Sequence, residues 1–138
     1  MGSNSSLKNT RQFTTGATRD TDSGKFQYEG FLSPLVLRRY AEFMHKHRKQ
    51  SDDKLRAADN WQRGIPLEVY ADSGWRHLMD WWGWQRKCWN PKEGIEEALC
   101  ALLFNVMGAL HEILKKRLST VREWTPEDDP SSMGVPEL

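Results

Sequence analysis

Residues 94–118, "GIEEALCALLFNVMGALHEILKKRL", constrain the fold more than any other stretch. Ile95, Leu99, Leu102, Val106, Leu110 and Ile113 recur at spacings of three and four, which is the period of a helix and not of a strand. The pattern predicts a helix from near Pro91 to about Leu118. Lys115, Lys116 and Arg117 fall in its last turns, where cations suit the negative end of the helix dipole. At about 100° per residue, Glu93, Glu97, Phe104 and Gly108 lie within about 60° of one another, with Ala101 at the edge and Asn105 and Glu112 a little beyond. This face opposes the Leu/Val stripe. Such a face is normally solvated, although its small residues would let another group come close. Glu96 projects near Leu103, Met107 and Leu114, so it borders the apolar side and needs a cation, either Arg76 or a metal ion.

Two further helices are expected. Ser33 can cap free N–H groups and Pro34 suits the first helical position. Leu35, Leu37, Tyr40, Phe43 and Met44 then make a helical stripe. Charge takes over in "HKHRKQSDDKLRAAD" (45–59), which is either a solvated continuation of that helix or a loop near Ser51-Asp52. Gly64 and Pro66 break the chain before a second helix, expected over Pro66–Trp84 with Val69, Tyr70, Leu78, Trp81 and Trp82 as its apolar positions. No alternating pattern longer than four residues suggests a strand, and no repeat is evident. The expected fold is all-α, a small bundle of three to four helices over residues 16–122. A flexible polar tail at 1–15 and a Pro-rich acidic tail at 123–138 flank it.

Lys and Arg number 20 and Asp and Glu 19, a net charge of +1, a balance that argues against a nucleic-acid binder while leaving room for a local basic cluster. Its one basic run, "HKHRKQ", reads as a solvated helix face. The most apolar run, residues 98–110, is shorter than the roughly 20 residues a membrane span needs. The N-terminus has no secretory signal, and a cytoplasmic location is expected. Gly2 and Ser6 fit a short myristoylation pattern that a polar tail explains equally well. Cys88 and Cys100 form no disulfide framework. Three Trp-rich helices cannot all cover one another, so a homo-oligomer is expected.

The polar residues among the tryptophans are the candidate chemistry. Asp72, Arg76 and His77 sit beside Trp75, Trp81 and Trp82, where a polar group should be paired or functional. The plain alternative is a surface ion pair beside a core histidine. Glu42, between Tyr40 and Phe43, points to a helix junction or bridges to Arg38 or Lys46. Acids from several helices directed inward are how bundles hold Mg²⁺ and other hard cations. No Gly-rich phosphate loop, nucleophile elbow or zinc spacing is present.

Taken in order, "GATRDTDSGKFQYEGFLSPLVLRRYAEFM" (16–44), "DNWQRGIP" (59–66), "DSGWRHLMDWW" (72–82) and "GIEEALCALLFNVMGAL" (94–110) resemble the phage-encoded dATP/dGTP diphosphohydrolase family. That family is similar to the MazG-type all-α nucleotide pyrophosphohydrolases. The resemblance implies Mg²⁺-dependent cleavage of a nucleoside triphosphate between its α and β phosphates, with Mn²⁺ as a possible substitute. It implies Glu42, Asp72, Glu93 and Glu97 as metal ligands, and Arg76, Arg19 and Lys25 as phosphate grips. Trp61 and Asn60 would hold the base or sugar, Asn105 matches the final helix, and His77 would orient water or act as acid or base. The family's H-x-x-H ahead of that Asn is replaced here by Glu97 and Cys100, or by Ala98 and Ala101 in the adjacent register. The 45–59 connection is also longer than the family's. The alternative implied by these departures is an inactive helical module that binds a nucleotide or a host or phage protein.

Overall fold

The computed structural model describes residues 10–120. Residues 1–9 of the expected 1–15 tail, with the Gly2 pattern, and the expected tail at 123–138 lie outside the described residues. The chain divides into two units, one ending at Leu32 and one beginning at Ser33.

In the first unit, β1 (Thr10–Gln12) pairs antiparallel with β2 (Thr18–Asp20), Arg11 opposite Arg19. Gly16 closes the turn at φ 87°, a conformation that glycine adopts at little cost. Arg11 lies 3.6 Å from Asp22, which offsets its repulsion from Arg19. The hairpin escaped the sequence pattern because three-residue strands are too short to show alternation, and it takes up residues 10–15 of the expected tail. A single turn, α1 (Tyr28–Phe31), follows.

The second unit is the helical bundle: α2 (Pro34–Lys46), a 3-10 turn (Asn60–Arg63), α3 (Leu67–Gln85) and α4 (Ile95–Ser119). Ser33 Oγ accepts from the Val36 amide at 3.3 Å and Pro34 opens α2, as the sequence predicted. α4 starts later than expected. Gly94 at φ 93° separates it from a turn closed by its own amide on the Pro91 carbonyl (3.0 Å).

The α3–α4 pair is the main packing, and it uses the face of α4 that the sequence left to solvent. Ala98, Ala101, Asn105 and Gly108 are buried, whereas Leu99, Val106, Leu110 and Ile113 are exposed. Gly108 lies under the ring of Tyr70, which is 2% exposed, and Gly83 of α3 lies under the Trp89 indole. Small residues let two helices approach closely, and a leucine there would hold them apart. Phe43, Cys100 and Ala101 form the small core, with Tyr40, Met44 and Phe104 against it. Burial pushes the Tyr40 hydroxyl up to about 12. α4 is also the one helix among the described residues long and apolar enough to cross a bilayer by length and composition, with mean hydropathy 1.5 in its most apolar window. The apolar run read from sequence is shorter because it ended before His111 and Glu112.

Candidate functional site

A cavity of about 680 Å³ opens within the helical unit, walled by the end of α2, the 45–61 connection, α3 and the start of α4. That volume suits a nucleotide-sized ligand. Of the residues singled out by sequence, Asn60, Trp61, His77, Glu93, Glu97 and Asn105 line it. Asp72, Arg76 and Glu42 are absent from the lining. The reason is helical geometry. Asp72 and His77 are five residues apart, about 140° around the helix, and Arg76 is about 100° from His77. The face of α3 presented to the cavity is Ser73, His77 and Asp80, at i, i+4 and i+7. Asp80 was missed, and its spacing from His77 was the available signal.

Glu42 lies 3.9 Å from Arg38 on an exposed face of α2, the ion pair weighed as its alternative. Arg19 in β2 and Lys25 in the turn after it belong to the other unit.

Glu97 is the most strongly engaged acid. Its carboxylate takes Arg39 Nη2 at 3.2 Å and Lys46 Nζ at 3.4 Å, with His47 Nε2 at 3.6 Å. Burial disfavours its charge, but the hydrogen bonds from Arg39, Lys46 and His47 outweigh that and hold its pKa below the ordinary 4.5. Glu96 meets Arg39 Nε at 3.1 Å, so the cation it needs comes from α2 and not from Arg76 or a metal.

His77 is half-buried. Desolvation lowers its pKa below 6.5, opposed by Asp80 and helped by Arg76, a shift that favours the uncharged imidazole. Trp61 packs edge-on against His111 (4.8 Å between centroids) and Phe104 (6.4 Å), which fixes its ring at the cavity wall. Asn105 is 5% exposed, and its amide Nδ2 donates to the Ala101 carbonyl at 2.7 Å. Its side-chain oxygen and second amide N–H remain for a further partner.

The connection after α2 is a loop, which settles the two readings left open for it. It turns at Asp53 (φ 64°) and is laced by an antiparallel bridge between Lys49 and Leu55. Arg56 N donates to Arg48 O and Arg48 Nε donates to Arg56 O, both at 2.8 Å. Both arginines line the cavity, and the sequence reading gave neither a role in the site.

The four expected metal ligands do not form one donor set. Glu42 and Asp72 are off the cavity, Glu97 is held by cations, and no three His, Cys, Asp or Glu among the described residues are placed to hold a metal. A resident all-protein Mg²⁺ cage therefore does not fit the described residues. Mg²⁺ carried on a polyphosphate asks for less, since one or two carboxylates and the phosphates themselves commonly complete its shell. Asp80 and Glu93 line the cavity and have no ion-pair partner among the described residues. Comparison of the chain with protein-family models, with curated proteins and with solved structures gives no match.

Proposed function

We propose that the α2–α3–α4 cavity binds a deoxynucleoside triphosphate, dATP or dGTP, as its Mg²⁺ or Mn²⁺ complex and hydrolyses it to the monophosphate and pyrophosphate. The observation that carries the reading is the convergence on one cavity of a flat indole, an imidazole and two carboxylates without ion-pair partners, from segments far apart in sequence. Trp61 stacks the base and Asn60 reads its edge or the sugar. Asp80 and Glu93 face the metal-bearing phosphates. His77 takes a proton from the water that attacks the α-phosphorus, the α–β phosphoanhydride bond breaks, and pyrophosphate leaves with the bond's electron pair. The activity would act on the nucleotide pool of the cytoplasm in which the protein is made.

A second reading is binding without turnover. It is favoured by Glu97, whose charge Arg39 and Lys46 already neutralise. Incubation with each dNTP and Mg²⁺, assayed for dNMP and pyrophosphate, separates the two. Product lost in His77→Gln supports hydrolysis. Nucleotide binding with no product from any dNTP supports the second reading and overturns the first.

We also propose that a second copy covers the exposed Leu99, Val106, Leu110 and Ile113 face of α4. An antiparallel pairing of two α4 helices sets the acidic first turn of one, with Glu96, beside Lys116 and Arg117 in the last turn of the other. This complementarity is a reason to favour a copy of the same chain over an unrelated partner.

A further inference from the structure

We infer that the hairpin of residues 48–56 is the polyphosphate clamp of this cavity, with Arg48 and Arg56 as its two prongs. The inference rests on the nucleotide reading of the cavity and names the cations that reading lacks within the helical unit, since Arg76 is off the cavity. The hairpin is small and tightly tied. The Lys49–Leu55 bridge and the Gln50 N to Lys54 O bond (2.9 Å) form its arms, and reciprocal bonds between Arg48 and Arg56 close its base. Two like charges are thereby set opposite each other across a strand pair, an arrangement that is unfavourable unless an anion sits between or beside them.

No protein anion fills that role among the described residues. Arg39 and Lys46 meet Glu97, Lys49 meets Asp53 at 3.3 Å, Arg38 meets Glu42, and Lys115 meets Glu112. Asp52 is used by the Lys54 amide at 3.1 Å. Arg48 and Arg56 have only backbone carbonyls as partners: Arg48 Nε on Arg56 O, and Arg56 Nη1 on His47 O at 3.4 Å. Those bonds orient each planar guanidinium and leave its remaining N–H groups unused, both at the wall of the cavity that holds Trp61. A fork of oriented guanidinium donors without a carboxylate matches a run of phosphate oxygens. The ligand chemistry is a polyphosphate, and the nearby indole selects one that carries a base.

The test uses calorimetric titration of the full chain in Mg²⁺ with dATP, inorganic tripolyphosphate and deoxyadenosine. Arg48→Gln/Arg56→Gln is expected to weaken dATP and tripolyphosphate by about tenfold or more, with deoxyadenosine unchanged. Arg76→Gln should leave all three unchanged. Arg56→Gln alone keeps the bond from Arg48 Nε, because its acceptor is a main-chain oxygen, so this variant reports on the prong without opening the hairpin. Its expected loss is about threefold to tenfold for the two phosphate ligands. A double variant that binds dATP as tightly as the parent overturns the clamp while leaving any measured turnover intact. A parent that binds neither phosphate ligand overturns it too. A parent that binds tripolyphosphate through these arginines but yields no pyrophosphate from any dNTP supports the clamp and removes the hydrolytic reading.

Discussion

Tyr70 of α3 lies directly over Gly108 of α4, so closely that a methyl group at position 108 would overlap its ring. The ring is enclosed and has nowhere to move. Gly108→Ala is therefore expected to destabilise the protein by about 1–3 kcal/mol, although alanine is the better helix former by about 1 kcal/mol. Gly74→Ala, on the facing helix, is the contrast. There the added methyl would meet Asn105 Cβ at an ordinary 3.7 Å, and the expected change is neutral or stabilising by up to about 1 kcal/mol. Urea unfolding midpoints of the two variants compare them directly.

The α3 face decides which acid serves the site. Asp80→Asn and His77→Gln are each expected to reduce turnover of the preferred dNTP by about a hundredfold or more, and Asp72→Asn by less than about threefold. Steady-state rates with matched melting temperatures check this. Equal losses in Asp72→Asn and Asp80→Asn would show that the cavity is not where chemistry occurs.

Acid should weaken the fold in two steps. The His77 pKa is lower folded than unfolded, so the unfolded chain binds the proton first. Stability falls as pH drops below 6.5 and levels off below the folded value. Glu97 also has a depressed folded pKa; its stabilisation is fully present above 4.5 and is lost as pH falls through the folded value. Melting curves from pH 7.5 to 3.5 should show the upper step vanish in His77→Gln and the lower one in Glu97→Gln. An upper step retained in His77→Gln would assign it to another group.

The outer face of α4 should set the oligomeric state. Light scattering is expected to give twice the chain mass for the parent and a monomer for Val106→Glu/Leu110→Glu. A parent that is monomeric and floats with phosphatidylcholine vesicles would make a bilayer the occupant of that face instead.

Much of the bundle was legible because local chemistry dictated it. Ser33-Pro34 could only start a helix well, Pro66 could only precede one, and the spacing of three and four in α4 left no room for a strand. Six candidate residues also reached one cavity, since Trp61, Asn60 and Glu97 sit where a loop or a helix start must turn inward.

The tertiary structure decided the rest, because periodicity marks two faces of a helix and does not say which one a neighbour takes. On α4 the bulky face looked like the core, yet close approach of α3 favours Gly108 and Ala101, leaving Val106 and Leu110 outside. On α3 the angle around the helix put Asp80 and not Asp72 at the cavity. The Arg48–Arg56 pair was beyond reach of any pattern. They stand eight positions apart, and only the hydrogen bonds of the hairpin bring those two charges together.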